Sequence, residues 1–246
     1  MAAKQRIDAV LVEQGLCDSR EQAKRLILAG EVLHGTERVS KPSLKVAADA
    51  SLTVKERPKF VGRGGFKIEG ALEAFGIDVS GLTAMDVGAS TGGFTDCLLQ
   101  RGARHVYAID VGTNQLAYKL RTDERVTCRE KFNARELSPE IVPEEIDIAV
   151  MDLSFISLTK ILPAVDRVLK PGAVIIPLIK PQFELSREEV SRGGIVRDPE
   201  LHSKAVGKIK DFVEGELGWS WGELIESPIK GTDGNTEFLV ELRKCS

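Results

Sequence analysis

Four ionisable residues and one glycine-rich turn carry the chemistry that this chain could perform. The stretch Asp86-Val87-Gly88-Ala89-Ser90-Thr91-Gly92-Gly93-Phe94 closes an apolar run at 82–87. It gives way to Phe94-Thr95-Asp96-Cys97-Leu98-Leu99, where apolar positions recur at helical spacing, so the segment reads as strand, tight turn, helix. Without Cβ atoms at Gly88, Gly92 and Gly93, a nucleoside can lie against the backbone, and the next helix offers free N–H groups. The spacing is not G-x-G-x-x-G and no P-loop lysine follows, so a pyrophosphate is not the ligand the turn is built for. Asp110 closes the next apolar run about 20 residues further on, where a carboxylate accepts hydrogen bonds from ribose hydroxyls. A glycine turn and an acidic strand end without a pyrophosphate motif suit S-adenosylmethionine. Asp86, Gly88, Ala89, Ser90, Gly92, Gly93, Phe94, Asp110 and Asp152 are the expected cofactor residues, with Asn133 near the adenine.

Lys67 opens the first helix of this region, Asp152 ends the run 148–151, Lys180 ends 174–179, and Glu237 begins the final strand. In an open α/β sheet ligands bind beyond the carboxyl ends of parallel strands, and an antiparallel strand starts at that same rim. A Lys–Asp–Lys–Glu cluster there suits one reaction in particular. Moving a methyl from a sulfonium to a ribose hydroxyl requires that hydroxyl to be in line and relieved of its proton. A lysine takes the proton only as the neutral amine, and neighbouring carboxylates and amines set how much of that form exists. Lys180 is the expected base. Lys67 positions the ribose or its phosphate, Asp152 stands close to methyl and base, and Glu237 orients a lysine.

The elements that must position these residues alternate. Strands are expected at 82–87, 105–110, 125–130, 146–152 and 173–180, with helices at 67–75, 94–100, 114–121, 159–169 and 200–215. This reads as a doubly wound, Rossmann-like α/β sheet, which with an antiparallel last strand resembles the S-adenosylmethionine-dependent methyltransferase sheet. Two further strands, 224–229 and 236–242, are joined by a short hairpin-like return, which makes the last strand antiparallel. Residues 181–197 lack periodicity and read either as a mobile rim over the site that orders on RNA or as a plain surface loop. The polar, Gly-rich stretch 55–67 reads as a connection between two domains, 1–60 and 61–246.

The chain has 246 residues, 42% hydrophobic and 29% charged, ordinary values for a globular protein. No apolar run reaches the roughly 18 residues of a membrane span, and the first residues have no signal core, so a cytoplasmic protein is expected. Four scattered cysteines without a CxxC pair point to reduced thiols. Cys97, beyond the glycine turn, is expected to pack rather than to act as a nucleophile. His34, His105 and His202 are far apart, so no metal site is expected.

The net charge of −3 hides an asymmetry: residues 1–67 hold 13 Lys and Arg against 8 Asp and Glu. A basic module on an acidic body is an electrostatic footprint for a phosphate backbone. Within it, 6–14 reads as a short helix stopped by Gly15, and a capping box at Ser19 and Gln22 opens a helix running to Gly30. Strand-like pieces follow, making a small α+β unit. Arg20, Lys24 and Arg25 project from neighbouring positions of the second helix. With Arg6, Lys41 and Arg63 they are the candidate RNA contacts. Residues 1–55 contain no Phe, Tyr or Trp, which argues against a single-strand stacking platform.

Arg6-Ile7-Asp8, Gly15-Leu16, Ser19-Arg20-Glu21-Gln22-Ala23, Gly30, Val32 and Lys41-Pro42-Ser43 resemble the S-four RNA-binding module, with His34-Gly35 where members carry Asn-Gly. That family binds structured RNA through shape and phosphate contacts. The motifs Gly62-Arg63-Gly64-Gly65-Phe66-Lys67, 86–96, Asp110-Val111-Gly112, 152–158, Lys180-Pro181-Gln182-Phe183-Glu184 and Gly193-Gly194-Ile195-Val196 resemble the hemolysin-A-type (TlyA) family. These combine an S-four module with an FtsJ-like 2′-O-ribose methyltransferase. The resemblance implies S-adenosylmethionine-dependent methylation of cytidine ribose in small- or large-subunit ribosomal RNA, with ribosomal RNA or ribosomal subunits as partners. It carries a catalytic set onto Lys67, Asp152, Lys180 and Glu237. Two readings compete with this one: an RNA-binding assembly factor without turnover, and a membrane-damaging cytolysin. The retained tetrad and turn argue against the first, and the lack of a long amphipathic helix argues against the second.

Overall fold

The computed structural model describes residues 4–55 and 58–245. They form two compact units that divide between Lys59 and Phe60. Glu56 and Arg57 of the expected connection lie outside the described residues, and Phe60 is already buried in the second unit, edge-on to Phe66.

In the first unit, helices α1 (Ile7–Glu13) and α2 (Arg20–Ala29) pack with two small sheets. One pairs β1 (Gln5–Arg6) with β4 (Lys45–Val46); the other places β2 (Val32–His34) between β3 (Glu37–Arg38) and β5 (Leu52–Val54). Ser19 caps α2 by accepting a hydrogen bond from Gln22 N–H, and Gln22 Oε1 accepts one from Asp18 N–H. His34 stays in the strand and leaves the left-handed turn position to Gly35. Ile7, Val10, Leu11, Ala23, Ile27 and Val32 fill the core.

The second unit is a seven-stranded sheet flanked by helices: α3 (Gly64–Ala74), β6 (Thr83–Val87), α4 (Gly93–Gln100), β7 (His105–Ile109), α5 (Tyr118–Arg121), β8 (Val126–Arg129), β9 (Ile146–Met151), α6 (Leu162–Asp166), β10 (Leu169–Ile179), α7 (Pro181–Glu184), α8 (Pro199–Gly215), β11 (Ser220–Glu226) and β12 (Phe238–Arg243). The strand order is β11-β12-β10-β9-β6-β7-β8. β12 runs antiparallel to both neighbours, as expected of the last strand, and the β10-β9-β6-β7-β8 pairs are parallel. The period-two alternation of side chains divides the apolar residues between two faces. Met85, Val87, Met151 and Ile175 face the α6 and α8 side; Ala84, Val106, Val150 and Ile176 face α3 and α4. β6 is flanked by β7 and β9, so the chain order reverses there and a crevice opens at the carboxyl ends.

Three elements differ from the sequence expectation. The helix at 114–121 shrinks to α5 because the Glu130 carboxylate accepts hydrogen bonds from the N–H groups of Asn114, Gln115 and Leu116, which fixes that stretch as a loop. The helix at 159–169 becomes a 3-10 turn, Leu158–Lys160, followed by α6, whose first turn holds Pro163; Leu169 already belongs to β10. The strand expected at 224–229 is β11, ending at Glu226 before Pro228, so a loop rather than a short hairpin leads to β12.

Candidate active site

β6 delivers the glycine turn to the crevice. Gly88 and Ala89 N–H groups both donate to Ile109 O, and Asp152 N–H donates to Val87 O, so the ends of three strands are tied together. Gly88 has φ +87°, and a Cβ there would lie 2.5 Å from the Asp152 carbonyl oxygen, so only glycine fits. Ser90, at φ 48°, is held by its N–H donating to Asp110 Oδ2 at 2.7 Å, and Asp110 Oδ1 accepts from Gly112 N–H. Both Asp110 oxygens retain a lone pair on a cavity of about 540 Å³ lined also by Gly88, Ser90, Phe132, Asn133 and Ile156. Asn133 Oδ1 accepts from Arg135 N–H.

A second cavity of about 310 Å³ adjoins it, sharing Gly88, Ser90, Asp152, Ser154 and Phe155. Gly93, Phe94, Ala89 and Asp86 form part of its wall. Asp86 is buried; its Oδ2 accepts from Thr95 N–H and Thr95 Oγ1–H, while Oδ1 has no partner. Burial pushes its pKa up to about 7, the Thr95 hydrogen bonds working against it and the Asp152 and Asp110 carboxylates adding to the rise. A buried carboxylate oxygen without a partner on a cavity wall fits a cationic amino group. The turn, Asp110 and Asp86 thus fit the nucleoside and amino-acid ends of S-adenosylmethionine across two joined cavities. Gly92, at φ +94°, precedes α4 and packs against Leu120.

The four ionisable residues meet in the smaller cavity. Lys67 projects from α3, Asp152 follows β9, Lys180 follows β10, and Glu237 precedes β12. Lys67 Nζ lies 2.6 Å from Glu237 Oε2 and 3.5 Å from Asp152 Oδ2; Lys180 Nζ lies 2.5 Å from Asp152 Oδ1. Asp152 therefore bridges two lysines, and Glu237 binds only the first. Lys67, Lys180 and Glu237 are all buried.

The FtsJ-like methyltransferase family model matches residues 60–244, and the S4 domain model matches residues 5–51. This chain belongs to the FtsJ-like methyltransferase family. It is 47% identical to the Mycobacterium tuberculosis "16S/23S rRNA (cytidine-2'-O)-methyltransferase TlyA" over 99% of this chain and 91% of that one. "Hemolysin A" of Brachyspira hyodysenteriae is 44% identical over 96% of this chain and 98% of its own length. A solved structure from Streptococcus thermophilus, described as a hemolysin, superposes with a TM-score of 0.75 at 44% identity, covering 100% of this chain and 90% of that one. The methyltransferase uses S-adenosylmethionine, in keeping with the cavities just described.

Several residues of the methyltransferase site were not singled out from sequence. Ser154 Oγ accepts from Lys180 Nζ at 3.1 Å. Phe155 is 91% exposed at φ 63°, its ring 5.1 Å from that of Phe183. Gln182 Oε1 is buried on the cavity wall without a partner. Ser154 and Phe155 follow Asp152 in a motif the sequence displays, so their nearness was readable but not their direction. Asp96 ties Val61 N–H to α4 and also accepts from Lys119 Nζ, which fastens the start of the unit to the helix after the cofactor turn. The rim at 181–197 is fixed at more points than expected: Glu184 binds Ser157 and Leu158, and Asn235 binds Val196 and Gly194.

The candidate RNA contacts separate into pairs and singles. Arg6 and Arg20 both bind the fully buried Asp8, at 3.0 and 3.1 Å, and Lys24 pairs with Glu21. Arg20 and Lys24 are therefore ion-paired, with their side chains about half exposed. Arg25 and Lys41 are exposed in the first unit, and Arg63 is exposed just before α3. No helix among the described residues is long and apolar enough to cross a membrane.

Proposed function

We propose that this methyltransferase transfers a methyl group to the 2′-hydroxyl of a cytidine in ribosomal RNA, presented as RNA or within a ribosomal subunit. The observation that carries the reading is the Lys67–Glu237 and Asp152–Lys180 network in the smaller cavity, where Asp152 also lines the adjoining one. S-adenosylmethionine, when bound, supplies an electrophilic methyl on sulfur. Lys180, with a single carboxylate partner, serves as the base that takes the hydroxyl proton. Lys67, held by both Glu237 and Asp152, positions the ribose or its phosphate. Asp152 holds the two amines in one frame beside the cofactor turn. Phe155, exposed on the rim beside Phe183, offers a face on which the target base stacks. The first unit grips structured RNA through Arg6, Arg20, Lys24, Arg25 and Lys41, with Arg63 contributing from the second.

The test is methyl transfer from labelled S-adenosylmethionine to separated ribosomal subunits lacking the modification, comparing the wild type with Lys180→Ala. Incorporation into ribose that disappears in the variant, with cofactor binding intact, supports the reading and identifies the subunit. Cofactor binding without incorporation into either subunit would favour an RNA-binding assembly factor.

A further inference from the structure

Among the described residues Lys180 has two polar contacts, and only one is a carboxylate. The second is Ser154 Oγ, which accepts from Nζ at 3.1 Å. Ser154 lies in the loop after β9, faces both cavities, and has no other hydrogen bond among the described residues. It does not brace the fold.

An sp³ amine has four directions. At Lys180 the Cε bond takes one and the hydrogen bond to Asp152 a second. With these alone, the last N–H and the lone pair can still exchange between the two remaining positions. A hydrogen bond to Ser154 fixes the third, so the fourth has a single direction. We propose that Ser154 is a positioning residue for the base: by accepting the second N–H of the neutral Lys180 amine it leaves the lone pair in the one remaining position, where it meets the hydroxyl proton. The proposal rests on the reading of Lys180 as base. In the step, the substrate O–H bond breaks as an N–H bond forms on Lys180. The new O–CH3 bond forms as the S–CH3 bond breaks, its electron pair staying on sulfur. Ser154 exchanges no proton and remains neutral throughout.

Ser154→Ala, Ser154→Thr, Lys180→Ala and the double variant Ser154→Ala/Lys180→Ala test this in one assay on the full chain. Ser154→Ala is expected to lower kcat about 10- to 100-fold, with KM for RNA, cofactor affinity and thermal midpoint unchanged. Ser154→Thr keeps the hydroxyl and restores most of kcat. On the Lys180→Ala background the serine change adds nothing. Wild-type kcat in Ser154→Ala beside an inactive Lys180→Ala overturns the proposal and leaves the base reading standing. So does an effect confined to KM, or a failure of threonine to restore the rate. Full activity in Lys180→Ala overturns both.

Discussion

Asp86 places a carboxylate where charge is costly: it lines the smaller cavity, and one of its oxygens is buried without a partner. Its folded pKa of about 7 lies above the unfolded value, so the folded apo protein holds more protons and its stability falls as pH rises from about 4 to 7. A cationic amino group beside it reverses the balance and expels the proton. S-adenosylmethionine affinity is therefore expected to weaken up to about tenfold per pH unit below 7, and Asp86→Asn should flatten that dependence and bind weakly throughout. Calorimetry in buffers of different ionisation enthalpy checks both the slope and the proton count. Asp8 poses the opposite case. Its side-chain hydrogen bonds with Arg6, then Arg20, hold the carboxyl below its ordinary range against the cost of burial. Asp8→Asn makes the module more positive, so charge alone favours tighter RNA binding. If the carboxylate instead orders two guanidinium groups for phosphates, the variant binds rRNA several-fold more weakly with a shallower salt slope, and kcat at saturating RNA is unchanged. The tetrad was readable because each member stands at the start or the end of an expected element. Ser154 and Phe155 were not, since hydrophobic periodicity says nothing of a loop's left-handed φ or of which atom it brings to a lysine.

At the level of elements, the close approach of α3 and α4 sets the site. A Cβ on Gly93 would lie 2.9 Å from Gly65 N and 3.1 Å from Gly62 O, both backbone atoms that cannot step aside. Gly93→Ala should push α3, and with it Lys67, away from Glu237. Loss of kcat beyond the loss of cofactor affinity is the expected result, read from turnover at saturating cofactor; an unchanged kcat would mean that α3 adjusts freely. The buried strands were legible because parallel strands covered on both faces read as apolar runs. The helix at 114–121 was misjudged for a physical reason: the partner that holds 114–116 open is Glu130, just past β8, and no local pattern reports it.

Across the whole molecule, charge separates the two ligands. Residues 1–67 hold the basic excess, whereas the cofactor cavities present Asp86, Asp110 and Asp152. RNA affinity is expected to fall steeply between about 50 and 200 mM salt, by a factor set by the number of phosphates contacted, while cofactor affinity, resting on enclosed contacts, changes little. Titration of both ligands across that range checks the contrast.

The strand order also dictates when the site can exist. β12 is the last strand in the chain, yet it inserts between β10 and β11, and the Lys67–Glu237 pair that it completes is separated by 170 residues. Closing so long a loop is entropically costly and comes late in folding. During synthesis the earlier strands emerge with the edge of β10 unpaired and Lys67 without its tightest partner. Methyl transfer by this geometry therefore waits on the final strand, and a nascent chain that has already shaped its glycine turn would still be catalytically silent.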